Sequence, residues 1–147
     1  MAIGSRGARV LPREPMEERI ARTILGEISV ARTYAIRANV PVSLVIDESN
    51  RRLIIRETSA TAPAVPEVYR TTTYGTGSDV GVVSLSTENL GSGTSQMVNF
   101  SGRGFCLNCT AGGTSAVLVG RRSRPNESYR IIINQVGRAF LNGLAAN

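Results

Sequence analysis

The sequence contains no lysine, no histidine and no tryptophan, and it has only two cysteines. Without histidine there is no imidazole general base and no histidine metal ligand. Without lysine there is no Schiff-base amine and no phosphate-loop lysine. Two thiols cannot complete a zinc tetrahedron. Serine and threonine are abundant, but no base is present to activate one and no G-x-S-x-G occurs. The glycine-rich stretches lack phosphate-loop spacing, and no helix follows them. No apolar run approaches the roughly 18–20 residues that span a bilayer, and no hydrophobic stretch near Met1 has the form of a signal peptide. Most enzyme classes are thereby excluded: no catalytic residue, metal or cofactor is expected, and the chain as it stands is expected to be soluble.

What is present fits one globular domain, or a domain plus an arm. The chain has 147 residues, 41% of them hydrophobic and 19% charged, with a mean hydropathy of −0.02. That is long enough to bury a sizeable core. The net charge is +6, and all 17 basic residues are arginine. An arginine-only composition follows from a GC-rich genome, or from a surface for phosphates or acidic partners, or from attraction to a membrane surface, which needs an anchor beside the charges.

Residues 1–14 have no periodicity and read as a flexible arm or an artificial leader. From Pro15 to Asn39 the spacing is helical. Pro15 suits a first helical position, and Glu17 and Glu18 sit where a helix N-terminus favours negative charge. At about 100° per residue, Ile20, Ala21, Ile24, Leu25, Ile28, Ala31, Ala35 and Ile36 share one broad face, with Arg19, Arg22, Gly26, Thr33 and Arg37 opposite. Such a helix is about 36 Å long. Beyond Pro41 the pattern is that of short strands: Val42–Ile46 and Arg52–Arg56 form a hairpin around Asp47–Asn50, and Val68–Tyr74, Val80–Leu85, Gln96–Phe100, Ala116–Gly120, Tyr129–Asn134 and Arg138–Leu141 follow. Residues 58–67 form a Pro/Ala/Thr loop, and 75–78, 91–95 and 110–115 are Gly/Ser/Thr turns.

Three features invite a chemical reading. Cys106-Leu107-Asn108-Cys109 suits a local disulfide that pins a turn, worth about 2 kcal/mol by chain entropy and pointing to an oxidising compartment. A redox pair would open a helix, whereas Thr110-Ala111-Gly112-Gly113 is loop chemistry; two inert thiols are the remaining reading. Gly120-Arg121-Arg122-Ser123-Arg124 is the densest basic cluster, with Arg130 and Arg138 beyond it. Arginines at this density on a loop neutralise phosphates, or they are simply a solvated loop. Arg32 lies within the apolar stripe of the helix; it either snorkels its stem over a sheet edge or pairs with one of the few carboxylates. The adjacent acids Asp47 and Glu48 read as solvated loop residues. Asn108-Cys109-Thr110 and Asn126-Glu127-Ser128 match the glycosylation pattern, which is common by chance.

The run Leu25…Ala31-Arg32…Ala35-Ile36…Asn39…Pro41-Val42-Ser43-Leu44 resembles the helix end and first strand of the GspH/FimT family. These are minor pseudopilins of type II secretion and minor pilins of type IV pili. Val98-Asn99-Phe100-Ser101-Gly102-Arg103-Gly104 resembles the family's F-x-x-x-G strand end, and Tyr129-Arg130-Ile131-Ile132-Ile133-Asn134 leading to Gly137-Arg138 resembles its closing strand. The likeness spans residues 16–141. It implies an α+β, pilin-like fold over residues 15–147, with one long N-terminal helix (15–39) packed on an antiparallel β domain (40–147) of two small sheets. Family members begin with a processed leader and an apolar helix, so the chain reads as a soluble ectodomain without its membrane half. The full-length form is then expected at the bacterial inner membrane and periplasm, in a pilus or pseudopilus. The implied function is non-enzymatic: a subunit that helps to initiate or cap the filament. Ile20, Ile24, Ile28, Ala31 and Ala35 form its assembly helix, and other pilin or pseudopilin subunits are its partners. The alternative is a FimT-like, DNA-binding minor pilin. The family's DNA motif resembles Gly-Arg-x-Arg, and the candidate residues are Arg121, Arg122, Arg124, Arg130 and Arg138. Here serine falls where the second arginine of that motif belongs. The cysteine pair is not part of the family pattern.

Overall fold

The computed structural model describes residues 15–58, 66–75, 82–90 and 96–146. The expected arm 1–14, most of the 58–67 loop and the turn stretches 76–78 and 91–95 lie outside the described residues.

Helix α1 spans Met16–Ala38. Pro15 is the residue just before it, with an extended ψ of 147°, rather than its first helical residue. Glu17 and Glu18 in the first turn and Arg37 in the last complement the helix dipole. The helix stops because Asn39 turns left-handed, at φ 54°, which asparagine tolerates better than most residues. The Val40 N–H then reaches back to the Ala35 carbonyl at 3.3 Å.

Ile20, Ala21, Ile24, Ile28, Ala31 and Ala35 are buried, but Ile36 is 45% exposed and Leu25 only half-buried. The buried stripe is therefore rotated by roughly 40° from the expected one, at 100° per residue. It turns toward Glu27, which is buried on the other flank. That rotation is possible because the Glu27 carboxylate is satisfied from across the interface, by Arg70 Nε and the Thr72 hydroxyl, both at 2.9 Å.

The β domain has strands β1 (Val42–Asp47), β2 (Arg52–Glu57), β3 (Val68–Thr73), β4 (Val83–Glu88), β5 (Gln96–Phe100), β6 (Ser115–Arg121), β7 (Arg124–Ile133) and β8 (Ala139–Ala146). They form two four-stranded sheets, ordered β3-β2-β1-β5 and β4-β6-β7-β8. Every pairing is antiparallel. The chain crosses from the first sheet to the second at β4, returns for β5 and crosses again for β6. The fourth strand lies later than expected, and β7 and β8 extend beyond the predicted Tyr129–Asn134 and Arg138–Leu141 runs. In β7, pairing with β6 and β8 carries the ladder through polar residues between Arg124 and Ser128.

Alternation on each sheet sends one face inward. Val42, Leu44, Ile46, Leu53, Ile55, Val98 and Phe100 come from the first sheet, and Val83, Leu85, Val117, Val119, Tyr129, Ile131 and Ile133 from the second. Helix α1 contacts β1, β2 and β5 of one sheet and β6, β7 and β8 of the other. It lies across both and closes a single core. Ala21, Ala31 and Ala35 are fully buried, and their small side chains let the sheets come close to the helix axis.

Candidate assembly surface and the arginine hairpin

The basic cluster is not an open loop. Arg121 and Arg124 are strand residues directly opposite each other, so only Arg122 and Ser123 form the turn. Arg121 Nε forms an ion pair with the Glu17 carboxylate of α1 at 2.9 Å. Arg122 Nη2 donates to Glu48 at 3.1 Å, and the same carboxylate accepts the Leu85 N–H at 3.1 Å. Glu48 is thus no simple solvated loop acid: it ties the β1–β2 turn to the second sheet. Asp47 beside it holds Arg52 at 3.0 Å and the Asn50 amide at 2.9 Å. The bonds from Asn50, then from Arg52, hold its carboxyl below the usual range.

Arg130 pairs with Glu88 on the outer face of the second sheet. Among the described residues neither Arg124 nor Arg138 pairs with a carboxylate, and both are exposed. Arg138 follows the far end of the ten-residue strand β7, roughly 30 Å from Arg124 at 3.3 Å per residue. The five candidate arginines do not converge on one site.

Arg32 meets no carboxylate among the described residues; its head group goes to backbone carbonyls. Its Nε donates to the Gly104 carbonyl at 3.0 Å and its Nη2 to the Val136 carbonyl at 3.4 Å. It joins the turn after β5 to the turn after β7. Those turns touch so closely that a Cβ on Gly137 would lie 1.8 Å from the Gly104 carbonyl oxygen. Gly104 and Gly137 both have positive φ, 87° and 88°, where a side chain is strained. The F-x-x-x-G strand end and the Gly-Arg closing motif are therefore two halves of one knot, tied by Arg32. Each part was visible in the sequence; their meeting was not.

Two further contacts escaped the sequence reading. Glu27 holds Arg70 and Thr72 of the edge strand β3, although its place three residues after Ile24 and four before Ala31 marks it as a stripe position. Tyr34 of α1 stacks on Tyr69 at 5.1 Å between ring centroids. In β3, Val68 pairs with Arg56 and Arg70 with Ile55, so Tyr69 is the extra residue of a β-bulge, a device that re-aims a side chain.

Cys106 and Cys109 are joined by a disulfide with Cα atoms 5.5 Å apart. Cys106 bridges to Phe100 at the end of β5, and Cys109 to Leu90 just after β4. The disulfide loop thus spans from one sheet to the other. No helix follows the pair; Gly113 N–H closes a turn on the Thr110 carbonyl. The Asn108 amide, part of a glycosylation pattern, is occupied: it donates to the Met97 carbonyl at 3.0 Å and accepts the Asn99 N–H at 2.9 Å.

Beside the buried stripe of α1, half-buried Val30 and Tyr34, which pack on the edge of the core, line a shallow groove of about 290 Å³ with exposed Ser29, Thr33 and Arg37. No cluster of metal-ligating side chains occurs among the described residues. Among them, no helix is long and apolar enough to cross a membrane.

One long helix laid across two small antiparallel sheets is a pilin-like architecture. The chain belongs to the GspH family: residues 21–137 match the family described as Type II transport protein GspH. The family is one of structural subunits, not enzymes, and membership supports a role in pilus or pseudopilus assembly. Solved structures of two other proteins share the fold. The type IV minor pilin FimU of Pseudomonas aeruginosa is 14% identical, with a TM-score of 0.62 over 88% of this chain and 93% of that one. The minor pseudopilin EpsH of the Vibrio cholerae type 2 secretion system is 18% identical, with a TM-score of 0.58 over 90% of this chain and 98% of that one. Among curated proteins no sequence matches significantly.

Proposed function

We propose that the protein is a minor subunit that joins a type II secretion pseudopilus or a type IV pilus at or near its tip and helps to initiate or cap assembly. The observation that carries this reading is the use of α1. Its apolar stripe, with Ile20, Ile24, Ile28, Ala31 and Ala35, is buried against the chain's own two sheets. Beside the stripe, α1 leaves a groove lined by exposed Ser29, Thr33 and Arg37 with half-buried Val30 and Tyr34, open to neighbouring subunits. In this reading α1 is the amphipathic half of a longer helix. The apolar half holds the subunit in the inner membrane before assembly and packs along the filament axis afterwards, while the β domain faces the periplasm.

Deleting the gene in its source organism is expected to reduce surface pili or secreted protein, and wild-type copies to restore them. Ser29→Arg/Thr33→Arg copies, changed at exposed residues of the groove, are expected to fold but restore little. Piliation and secretion both unchanged on deletion would overturn the reading.

The DNA-binding alternative rests on Arg121, Arg122 and Arg124. Two of these hold carboxylates of the same chain, which weakens the positive field a phosphate backbone requires; we therefore place assembly first. No mobility shift of duplex DNA is expected at about 50 mM salt. A shift abolished by replacing all three arginines with alanine would establish the alternative.

A further inference from the structure

The knot at Arg32 has an exposed side. Gly104 abuts Gly137, and the Cys106 N–H donates to the Gln135 carbonyl at 2.9 Å. The two segments run antiparallel, so Phe105 stands opposite Val136, and opposite residues of antiparallel segments project to the same side. Ile36 completes the group from the last turn of α1: a Cβ on Gly104 would lie 2.8 Å from its Cδ1. Ile36, Phe105 and Val136 are 45%, 46% and 47% exposed. Three large apolar side chains thus share one patch at the C-terminal end of the helix.

Cations flank the patch along the chain. Arg37, Arg103 and Arg138 lie within two residues of its three members and are exposed, Arg37 also lining the helix groove. Among the described residues none of the three pairs with a carboxylate. Elsewhere the opposite holds: Glu17, Glu18, Glu27, Asp47, Glu48 and Glu88 are each held by an arginine of the same chain. The patch is also fixed in place, since Arg32 holds both segments and the disulfide starts at Cys106. A preorganised surface loses little freedom on docking.

We propose that Ile36, Phe105 and Val136, with the flanking arginines, form the docking centre for a different subunit, one whose matching surface is apolar and flanked by carboxylates. The proposal rests on the assembly reading and deepens it. Charge complementarity selects the occupant. A second copy would set flanking arginines against flanking arginines, and most of its carboxylates are already committed internally.

The test measures binding of the purified full chain to purified ectodomains of the other pilin-like proteins of its source organism, by calorimetry at two salt concentrations. Three variants are compared after circular dichroism shows a native fold: Phe105→Asp/Val136→Asp, Arg37→Glu/Arg103→Glu/Arg138→Glu, and a control, Val68→Asp, at an exposed apolar residue of β3 outside both the patch and the helix groove. One ectodomain is expected to bind, more weakly at high salt. Each patch variant is expected to weaken it at least about tenfold, while the control changes it little. Reversing acidic residues on the partner to arginine is expected to rescue the triple variant. Binding lost only in the control would overturn the patch and leave the assembly reading standing. Patch variants that abolish self-association in ultracentrifugation, or binding to anionic vesicles or duplex DNA, would overturn the named occupant. Binding to none of the ectodomains would sink this proposal, and if the gene deletion is also silent, the assembly reading falls with it.

Discussion

Arg32 shows how a residue that looks misplaced in an apolar stripe becomes the centre of a contact network. Its guanidinium supplies donors to two carbonyls that come together only when the turns after β5 and β7 meet. The contact leaves no room for a side chain at Gly137, whose φ of 88° is also strained for any residue but glycine. Gly137→Ala is therefore expected to cost about 2–4 kcal/mol, measured as a lower midpoint in urea. Tyr74 carries a different strain. Its ring is buried, and its hydroxyl has no hydrogen-bond partner among the described residues. Burial first, then the charges of Glu48 and Asp47, raise its pKa above the ordinary tyrosine value. An acid whose pKa is raised by folding contributes stability that is present below the unfolded value of about 10 and lost as the pH climbs above it. Tyr74→Phe is expected to be neutral or slightly stabilising at pH 7 and to flatten the loss of stability above about pH 10. Thermal melts across that range check both.

At the scale of elements, charged residues act where apolar patterning gives out. Helix α1 turns its buried stripe toward Glu27 because β3 brings Arg70 and Thr72 to meet it. The bulge at Tyr69 then sets a ring on Tyr34. The disulfide loop works in the same way for the sheets: Cys106 adjoins β5 and Cys109 adjoins the end of β4. Replacing both cysteines with serine is expected to cost about 2 kcal/mol, the chain-entropy value for so short a loop, without loss of fold. The parent protein should weigh two hydrogens less than the dithiol by intact mass, and it should resist alkylation until reduced.

At the scale of the whole molecule, two sheets have four edges, and two of these are closed from within. Leu107 N–H donates to the Asn99 carbonyl at 2.7 Å, and the Asn108 amide continues along β5 as an extra strand would. On β4, Glu48 takes the Leu85 N–H. Open strand edges template aggregation. Asn108→Ala combined with Glu48→Ala is expected to raise light scattering on incubation at neutral pH and to leave the helical circular dichroism intact. Little change in scattering would show that these two side chains do not guard the edges. The directed partner surface belongs to this scale too, since it gathers Ile36, Phe105 and Val136 from three separated stretches of chain.

Local periodicity was enough to read α1 and the approximate place of each strand, because helix and strand patterns are written in neighbouring residues. The pilin-like class was legible in the order of short motifs after an amphipathic helix. The rotation of the helix, the division of strands between the sheets and the fate of the arginines were not legible. Each depends on partners far away in sequence: Glu27 on Arg70, Arg122 on Glu48, Arg32 on Gly104 and Val136. The missing lysine and histidine already excluded most catalysis on composition alone. Which arginines remained free for a partner was decided only when folding brought carboxylates to the others.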